Sequence, residues 1–441
     1  MKHSFLIAAP SSNSGKTMVT LGLIKALRNL NFNIQPFKCG PDYIDPLHHS
    51  QVAGAQSYNL DVWMSDEAHI NAVYGEQMQK SDIGIVEGVM GLFDGAKKDA
   101  GSSAEIARIL DLPVVLVVNA AATAYSVAPL LYGFKNFNKN IRVEGVIFNK
   151  VSGDSHYQFL KEAADDAGVV ALGYIPKNDK LTLESRHLGL SLTENDQLLL
   201  AVDEAAKLIE QHVSLERLLQ ITKKETVSVS NEERPVRKKR IRIAIARDEA
   251  FNFMYPANID RLKEIGEVIY FSPLYDNNIP ECELLWFPGG YPELYAPQLA
   301  ANTDMLNAIR RFEKSGGRIV AECGGMMYLG KSVEVKDCSV YPMLGLIGYE
   351  TSLRNMKLKL GYRSVEFDGQ VFKGHEFHYS TVSNDCDDKA DALVQTARGA
   401  TADMAIYRTD NIWASYFHIY LGEKDKMDNF IQMILKGILP M

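Results

Sequence analysis

A chain of 441 residues, 46% hydrophobic and 23% charged, has the make-up of a globular protein of about two or three domains, each able to bury its own core. A net charge of −8, from 47 Lys and Arg against 55 Asp and Glu, excludes a nucleic-acid binder that relies on a basic field. The longest apolar run, residues 112–122, is about half a membrane span and contains Asn119, and the apolar start is too short for a signal peptide; no membrane partner is expected, and the cytoplasm is the expected compartment.

In chain order, the apolar residues 5–9 predict a strand. It runs into Pro10-Ser11-Ser12-Asn13-Ser14-Gly15-Lys16-Thr17 and then a helical pattern over 18–29. Strand, Gly-Lys-Thr turn and helix together hold a nucleotide triphosphate. Backbone N–H groups along Ser12, Asn13, Ser14 and Gly15 face the phosphates, Lys16 adds a point charge, and the Thr17 hydroxyl reaches Mg²⁺. The first glycine of the usual phosphate loop is replaced by Pro10. Further strands are predicted at 83–87, 114–118, 146–149 and 170–175, with helices at 104–110 and 157–167 between them. This alternation is that of a mostly parallel sheet covered on both faces. Phosphoryl transfer also needs carboxylates for the metal. Glu87 ends a buried strand and is one candidate; Asp42 or Asp45, in Lys38-Cys39-Gly40-Pro41-Asp42-Tyr43-Ile44-Asp45-Pro46, is the other, with a turn or helix-cap role as the alternative for either aspartate.

Residues 195–219 read as one long amphipathic helix, and 222–240, charged and without apolar periodicity, as a solvated linker. The alternation restarts with strands at 241–246, 268–271, 284–288 and 318–323. Short aromatic-rich strands at 362–367, 371–379 and 412–417 then predict antiparallel additions to a second, mixed sheet. The fold class is therefore α/β with two domains, residues 1–221 and 241–441.

The five cysteines, Cys39, Cys282, Cys323, Cys338 and Cys386, show no C-x-x-C spacing, against a disulfide framework or zinc site and for one reactive thiol. Cys323 lies between a strand and Gly324-Gly325-Met326-Met327, an elbow that exposes a nucleophile beside a helix N-terminus, where thiolate is expected to be favoured. Its base is His418, His375 or His378; spacing alone leaves the choice open. Gly289 and Gly290, after the strand at 284–288, are placed to offer N–H donors to an oxyanion. A phosphate loop joined to such a thiol implies a glutamine-dependent amide ligase: one half frees ammonia from L-glutamine, the other activates a carboxylate with ATP.

The chain resembles the cobyrinate a,c-diamide synthase family of class I glutamine amidotransferases over nearly its full length. The resemblance rests on Ala9-Pro10-Ser11-Ser12…Gly15-Lys16-Thr17, Gln35-Pro36-Phe37-Lys38…Gly40-Pro41-Asp42-Tyr43-Ile44-Asp45-Pro46, Asn59-Leu60-Asp61…Trp63-Met64, Glu87 through Gly95, Arg186-His187-Leu188-Gly189-Leu190 and Gly374-His375-Glu376-Phe377-His378-Tyr379-Ser380. It implies an N-terminal domain similar to dethiobiotin synthetase, with Thr17, Glu87 and an aspartate at 42 or 45 around Mg²⁺. It implies a C-terminal glutaminase with Cys323 as nucleophile and His418 as base. The implied substrate is cobyrinate or a related tetrapyrrole polycarboxylate, amidated at its a and c side chains, each amidation consuming one glutamine and one ATP; a homodimer stays open. Many class I enzymes place an acid two residues after the histidine. Tyr420 stands there, so a Cys–His dyad or an orienting group from elsewhere, Glu376 being one option, is expected. Nickel-sirohydrochlorin and hydrogenobyrinate a,c-diamide synthases and cobyric acid synthase are the nearest alternatives. A regulatory ATPase with a degenerate amidotransferase domain is disfavoured, because the partition-type ATPases carry a lysine where Ser11 stands.

Overall fold

The structure, a computed structural model, describes residues 2–181, 195–224, 241–367, 369–383, 386, 388, 389 and 392–436. The Arg186–Leu190 motif and residues 225–240 of the expected linker lie outside the described residues. Two compact units divide the chain between Glu232 and Glu233.

In the first unit, β1 (Lys2–Ala8), β2 (Ile34–Cys39), β3 (Tyr58–Leu60), β4 (Ile83–Glu87), β5 (Val114–Asn119), β6 (Val143–Val151) and β7 (Val170–Pro176) form a parallel sheet in the order β3-β2-β4-β1-β5-β6-β7. The strands are near-continuous apolar runs because both faces are covered. Alternation splits each strand between two cores. Phe5, Ile7, Ile83, Ile85, Val115 and Val117 join one with the helix α1 (Lys16–Asn29), while Leu6, Ala8, Val86, Val114 and Leu116 join the other. β1 lies between β4 and β5, so the loop after it opens at a point where strand order reverses, the ligand edge of such sheets.

The stretch 195–219 is two helices, Asn195–His212 and Leu215–Ile221. Val213 breaks away to pair with Gly173 of β7, and the Ser214 hydroxyl caps the second helix by accepting from the Arg217 N–H at 3.3 Å. Thr222 is fully buried, and β8 (Lys223–Lys224) pairs antiparallel with Lys2 and His3, so the start of the expected linker is part of this sheet.

In the second unit, β9 (Ile241–Ala246), β10 (Gly266–Phe271), β11 (Leu284–Phe287) and β12 (Arg318–Glu322) lie in the order β10-β9-β11-β12. Ile412–Ser415 continues the sheet in parallel and Ile406–Arg408 closes it antiparallel. The antiparallel additions form a sheet of their own: Leu393–Thr396, Lys359–Phe367, Gln370–His378 and Phe417–Ile419. Residues 412–417, expected as one antiparallel strand, are thus two strands in two sheets. The Ser415 hydroxyl makes the crossing, donating to Ala405 O at 2.9 Å and accepting from Phe417 N–H at 3.2 Å. All five cysteines are free, and among the described residues no helix is long and apolar enough to cross a membrane.

Candidate functional site

In the first unit the loop after β1 turns at Asn13 (φ 62°) and Gly15 (φ 88°), both left-handed. A Cβ on Gly15 would lie 2.2 Å from Asn149 Nδ2, so glycine is required by both backbone and space. Ser12 and Asn13 are exposed; Ser14 is buried, its hydroxyl donating to Ser11 O at 2.9 Å and its carbonyl accepting from Asn149 Nδ2 at 3.0 Å. Asn149, at the C-terminal edge of β6, was not singled out by sequence; it clamps the loop from outside the motif. Lys16 begins α1 and its ammonium donates to Met90 O. Burial and then the Lys38 ammonium push Lys16 below its ordinary range, against Glu87, Asp45 and Asp94.

Beneath the loop, the Thr17 hydroxyl donates to Glu87 Oε1 at 2.8 Å and lies 3.5 Å from Asp45 Oδ2. Asp45 is 1% exposed in the first turn of α2 (Ile44–Ala53), and Glu87, also 1% exposed, ends β4. Lys38 of β2, in direct register with Glu87, bridges both, at 2.6 Å from Asp45 and 2.9 Å from Glu87. Burial alone would lower Lys38, but the two carboxylates outweigh it and hold the ammonium above its ordinary range. Burial alone would raise Glu87, but Lys38 and His49 hold it well below the usual carboxylate range. His49, fully buried, meets Glu87 Oε2 through Nε2 at 2.7 Å. Asp42 turns Oδ1 to the start of α2, accepting from Ile44 N–H at 2.9 Å and Asp45 N–H at 3.1 Å, the cap role weighed for it. The Asn59 amide holds this turn by donating to Gly40 O and Asp42 O.

A hydroxyl and two carboxylates converging beneath a phosphate loop are hard oxygen donors of the kind Mg²⁺ takes alongside substrate phosphates and water. Lys38 lies inside a quoted motif and His49 beside His48, but neither was given a role, because nothing local says which carboxylate each will face. The signal for Lys38 was its place near the end of a buried strand, where an unpaired charge is too expensive to keep.

In the second unit Cys323 stands at φ 48°, ψ −104°, between β12 and the helix Gly324–Leu329. Its N–H donates to Ser415 O at 2.7 Å and its thiol to Phe377 O at 3.6 Å. The glycines around it are required by close approach. A Cβ on Gly325 would lie 2.3 Å from Phe287 O, one on Gly324 2.8 Å from Gly290 O, and one on Gly289 2.3 Å from His418 Cε1. The turn Gly289–Gly290 therefore touches the elbow on one side and the His418 ring on the other.

The helix N-terminus acts on the thiol in the expected direction, through the Gly324 N–H, but burial outweighs it. This helix has six residues, and the Gly324 N–H lowers the thiol, but burial, followed by the Glu293 carboxylate, pushes Cys323 well above its ordinary value. Burial and then the neighbours His375 and His378 hold His418 well below its ordinary value, which favours the neutral ring. Of the competing histidines, His375 meets Tyr255 OH through Nδ1 at 2.7 Å and stacks on His418 with centroids 4.7 Å apart. His378 is held by Ser380 O and Glu376 Oε1, each at 2.8 Å. Glu376, one option for orienting His418, is committed instead to His378 and to Arg363, whose Nη2 lies 2.6 Å from Oε2.

The family described as the CobQ/CobB/MinD/ParA nucleotide binding domain matches residues 5–190, and that described as the CobB/CobQ-like glutamine amidotransferase domain matches residues 242–426. The chain is 38% identical to the cobyrinate a,c-diamide synthase of Salmonella typhimurium, covering 96% of each chain. It is 38% identical to the protein of that name from Picrophilus torridus, covering 96% of this chain and 97% of the relative. It is 40% identical to the hydrogenobyrinate a,c-diamide synthase of Brucella suis, covering 94% of this chain and 98% of the relative. End-to-end likeness to proteins of both names, together with a nucleotide-binding domain and a glutamine amidotransferase domain in that order, shows that the chain belongs to the a,c-diamide synthase family of glutamine-hydrolysing ligases.

Proposed function

We propose that the protein amidates the a and c side-chain carboxylates of cobyrinate or hydrogenobyrinate, using Mg·ATP to activate each carboxylate and glutamine as the nitrogen source. The observation that carries this reading is the presence in one chain of the Thr17–Asp45–Glu87 cluster under a phosphate loop and of Cys323 on a strained elbow whose Gly289–Gly290 neighbour also abuts His418.

In the glutaminase half, neutral His418 takes the Cys323 proton as sulfur attacks the glutamine amide carbon. The oxyanion that forms is met by the N–H groups of Gly289 and Gly290. The imidazolium returns the proton to the leaving nitrogen, releasing ammonia and a thioester, which water hydrolyses to glutamate. In the synthetase half, a substrate carboxylate oxygen attacks the γ-phosphorus, giving an acyl phosphate and ADP, and ammonia then displaces phosphate. Lys16 offers positive charge to the transferred group. Thr17, Asp45 and Glu87, with Asp42 at the edge of the cluster, would hold Mg²⁺, which when bound would offset the charge of the phosphates. Lys38 and His49 keep Glu87 ionised, and Lys38 also orients Asp45.

The test is mass spectrometry after incubation with cobyrinate or hydrogenobyrinate, glutamine and Mg·ATP, where two successive amidations are expected. Cys323→Ala should lose glutamine-dependent synthesis by about a thousandfold or more while keeping synthesis from ammonium salts. Lys16→Ala should lose synthesis with either nitrogen source. A folded Cys323→Ala variant that fails with both sources would overturn the division of labour.

A further inference from the structure

Cys323 directly follows a strand of one sheet, and His418 sits on a strand of another. β12 pairs with β11 and Ile412–Ser415, whereas Phe417–Ile419 pairs with Gln370–His378. Among the described residues β12 and Phe417–Ile419 share no ladder. At that junction lies Glu322, 2% exposed and immediately before Cys323. Its Oε1 accepts from Trp286 Nε1–H at 2.7 Å, and its Oε2 accepts from the N–H of Ile419, immediately after His418, at 3.0 Å. Asn258, 1% exposed, holds the same turn from the other side, donating to Ile419 O at 2.8 Å and accepting from Leu421 N–H at 2.7 Å. Trp286 is itself fully buried on β11.

We propose that Glu322 is a positioning residue: one buried carboxylate that ties the backbone after the base to the residue before the nucleophile, and so holds Cys323 and His418 in working register across two sheets. The proposal deepens, and rests on, the assignment of Cys323 and His418 as nucleophile and base. Many related glutaminases orient the histidine through an acid two residues beyond it, where this chain has Tyr420. Here the carboxylate acts on the histidine's backbone. Two N–H donors converge on it, so it must be acceptor on both oxygens, a requirement glutamate meets and an amide does not.

The experiment is Glu322→Gln in the full chain, alone and with Trp286→Phe. The new NH₂ group confronts one of the two donors. Expected are a fall in glutaminase kcat of about 10²-fold with KM for glutamine held within about twofold, and unchanged synthesis from ammonium salts. The pH profile of Cys323 alkylation by iodoacetamide, which involves no glutamine, should be displaced. Adding Trp286→Phe removes the indole donor and should restore kcat by about tenfold, because the amide oxygen can then serve Ile419. A wild-type kcat and alkylation profile in Glu322→Gln would overturn the proposal. So would loss of both nitrogen sources together, or a double variant no better than the single. If Glu322→Gln does not fold, Trp286→Phe is compared with Trp286→Phe plus Glu322→Leu; equal glutaminase kcat in that pair overturns it. Absence of glutaminase activity in the wild type would instead overturn the underlying assignment, and the alkylation profile keeps the two failures apart.

Discussion

Lys38 shows how one residue decides the chemistry around it. Its ammonium is buried with two carboxylates within 3 Å, so each charge is tolerable only because the others are present. Lys38→Met should destabilise the first unit by about 3–5 kcal/mol, because Asp45 and Glu87 are left as uncompensated buried charges; chemical denaturation measures this. The same variant should regain more stability from added Mg²⁺ than the wild type does, since the divalent ion then supplies the missing charge. Gly289 is the corresponding residue in the second unit. Gly289→Ala puts a methyl 2.3 Å from His418 Cε1, so the imidazole must move. Glutaminase kcat should fall about 10²-fold with synthesis from ammonium salts intact, read by steady-state kinetics with each nitrogen source.

Among elements, the joint between β11, β12 and Phe417–Ile419 has a pH signature. Burial raises the Glu293 carboxyl from 4.5 to about 7. Glu293 Oε2 is shut off from solvent without a hydrogen-bond partner among the described residues, although the residue as a whole is half-buried. Well below pH 4.5 this carboxyl is protonated whether the chain is folded or not. Between 4.5 and about 7 the unfolded chain gives up the proton while the folded one keeps it. The folded state then binds more protons, so stability falls as pH rises through that window and levels off above it. Glu293→Gln should flatten the decline, measured by denaturant unfolding at pH 5, 6.5 and 8. Much of this joint was hidden from the sequence. Residues 412–417 have the alternation of one strand, and nothing local announces that Ser415 turns the chain from one sheet to another. By contrast β4, β5 and β9 were plain, because a strand buried on both faces is written in its own residues.

At the scale of the whole molecule, the two units have separate cores. One apolar cluster runs from Ile241 to Leu435, and two others lie within the first 218 residues. Calorimetry should resolve two transitions, with Mg·ADP raising only one and Lys38→Met lowering that same one, since a ligand stabilises the unit that binds it. A single transition shifted as a whole by Mg·ADP would contradict this.

The sequence by itself determined the α/β grammar, the phosphate loop, the nucleophile elbow and the family, because each is a local pattern of residue types or an ordered series of motifs. Glu87 and Cys323 were legible as candidates for the same reason, each standing at the C-terminal end of a buried strand. What only the tertiary structure decided is which groups face one another. Asp45 rather than Asp42 lies against Thr17, Lys38 stands between the carboxylates, Glu376 serves His378 rather than His418, and Glu322 reaches across to Ile419. These pairings join residues up to 97 positions apart through sheet register and crossing. Burial, which sets the charge states of Cys323 and His418, likewise belongs to the packed molecule and to no single stretch of chain.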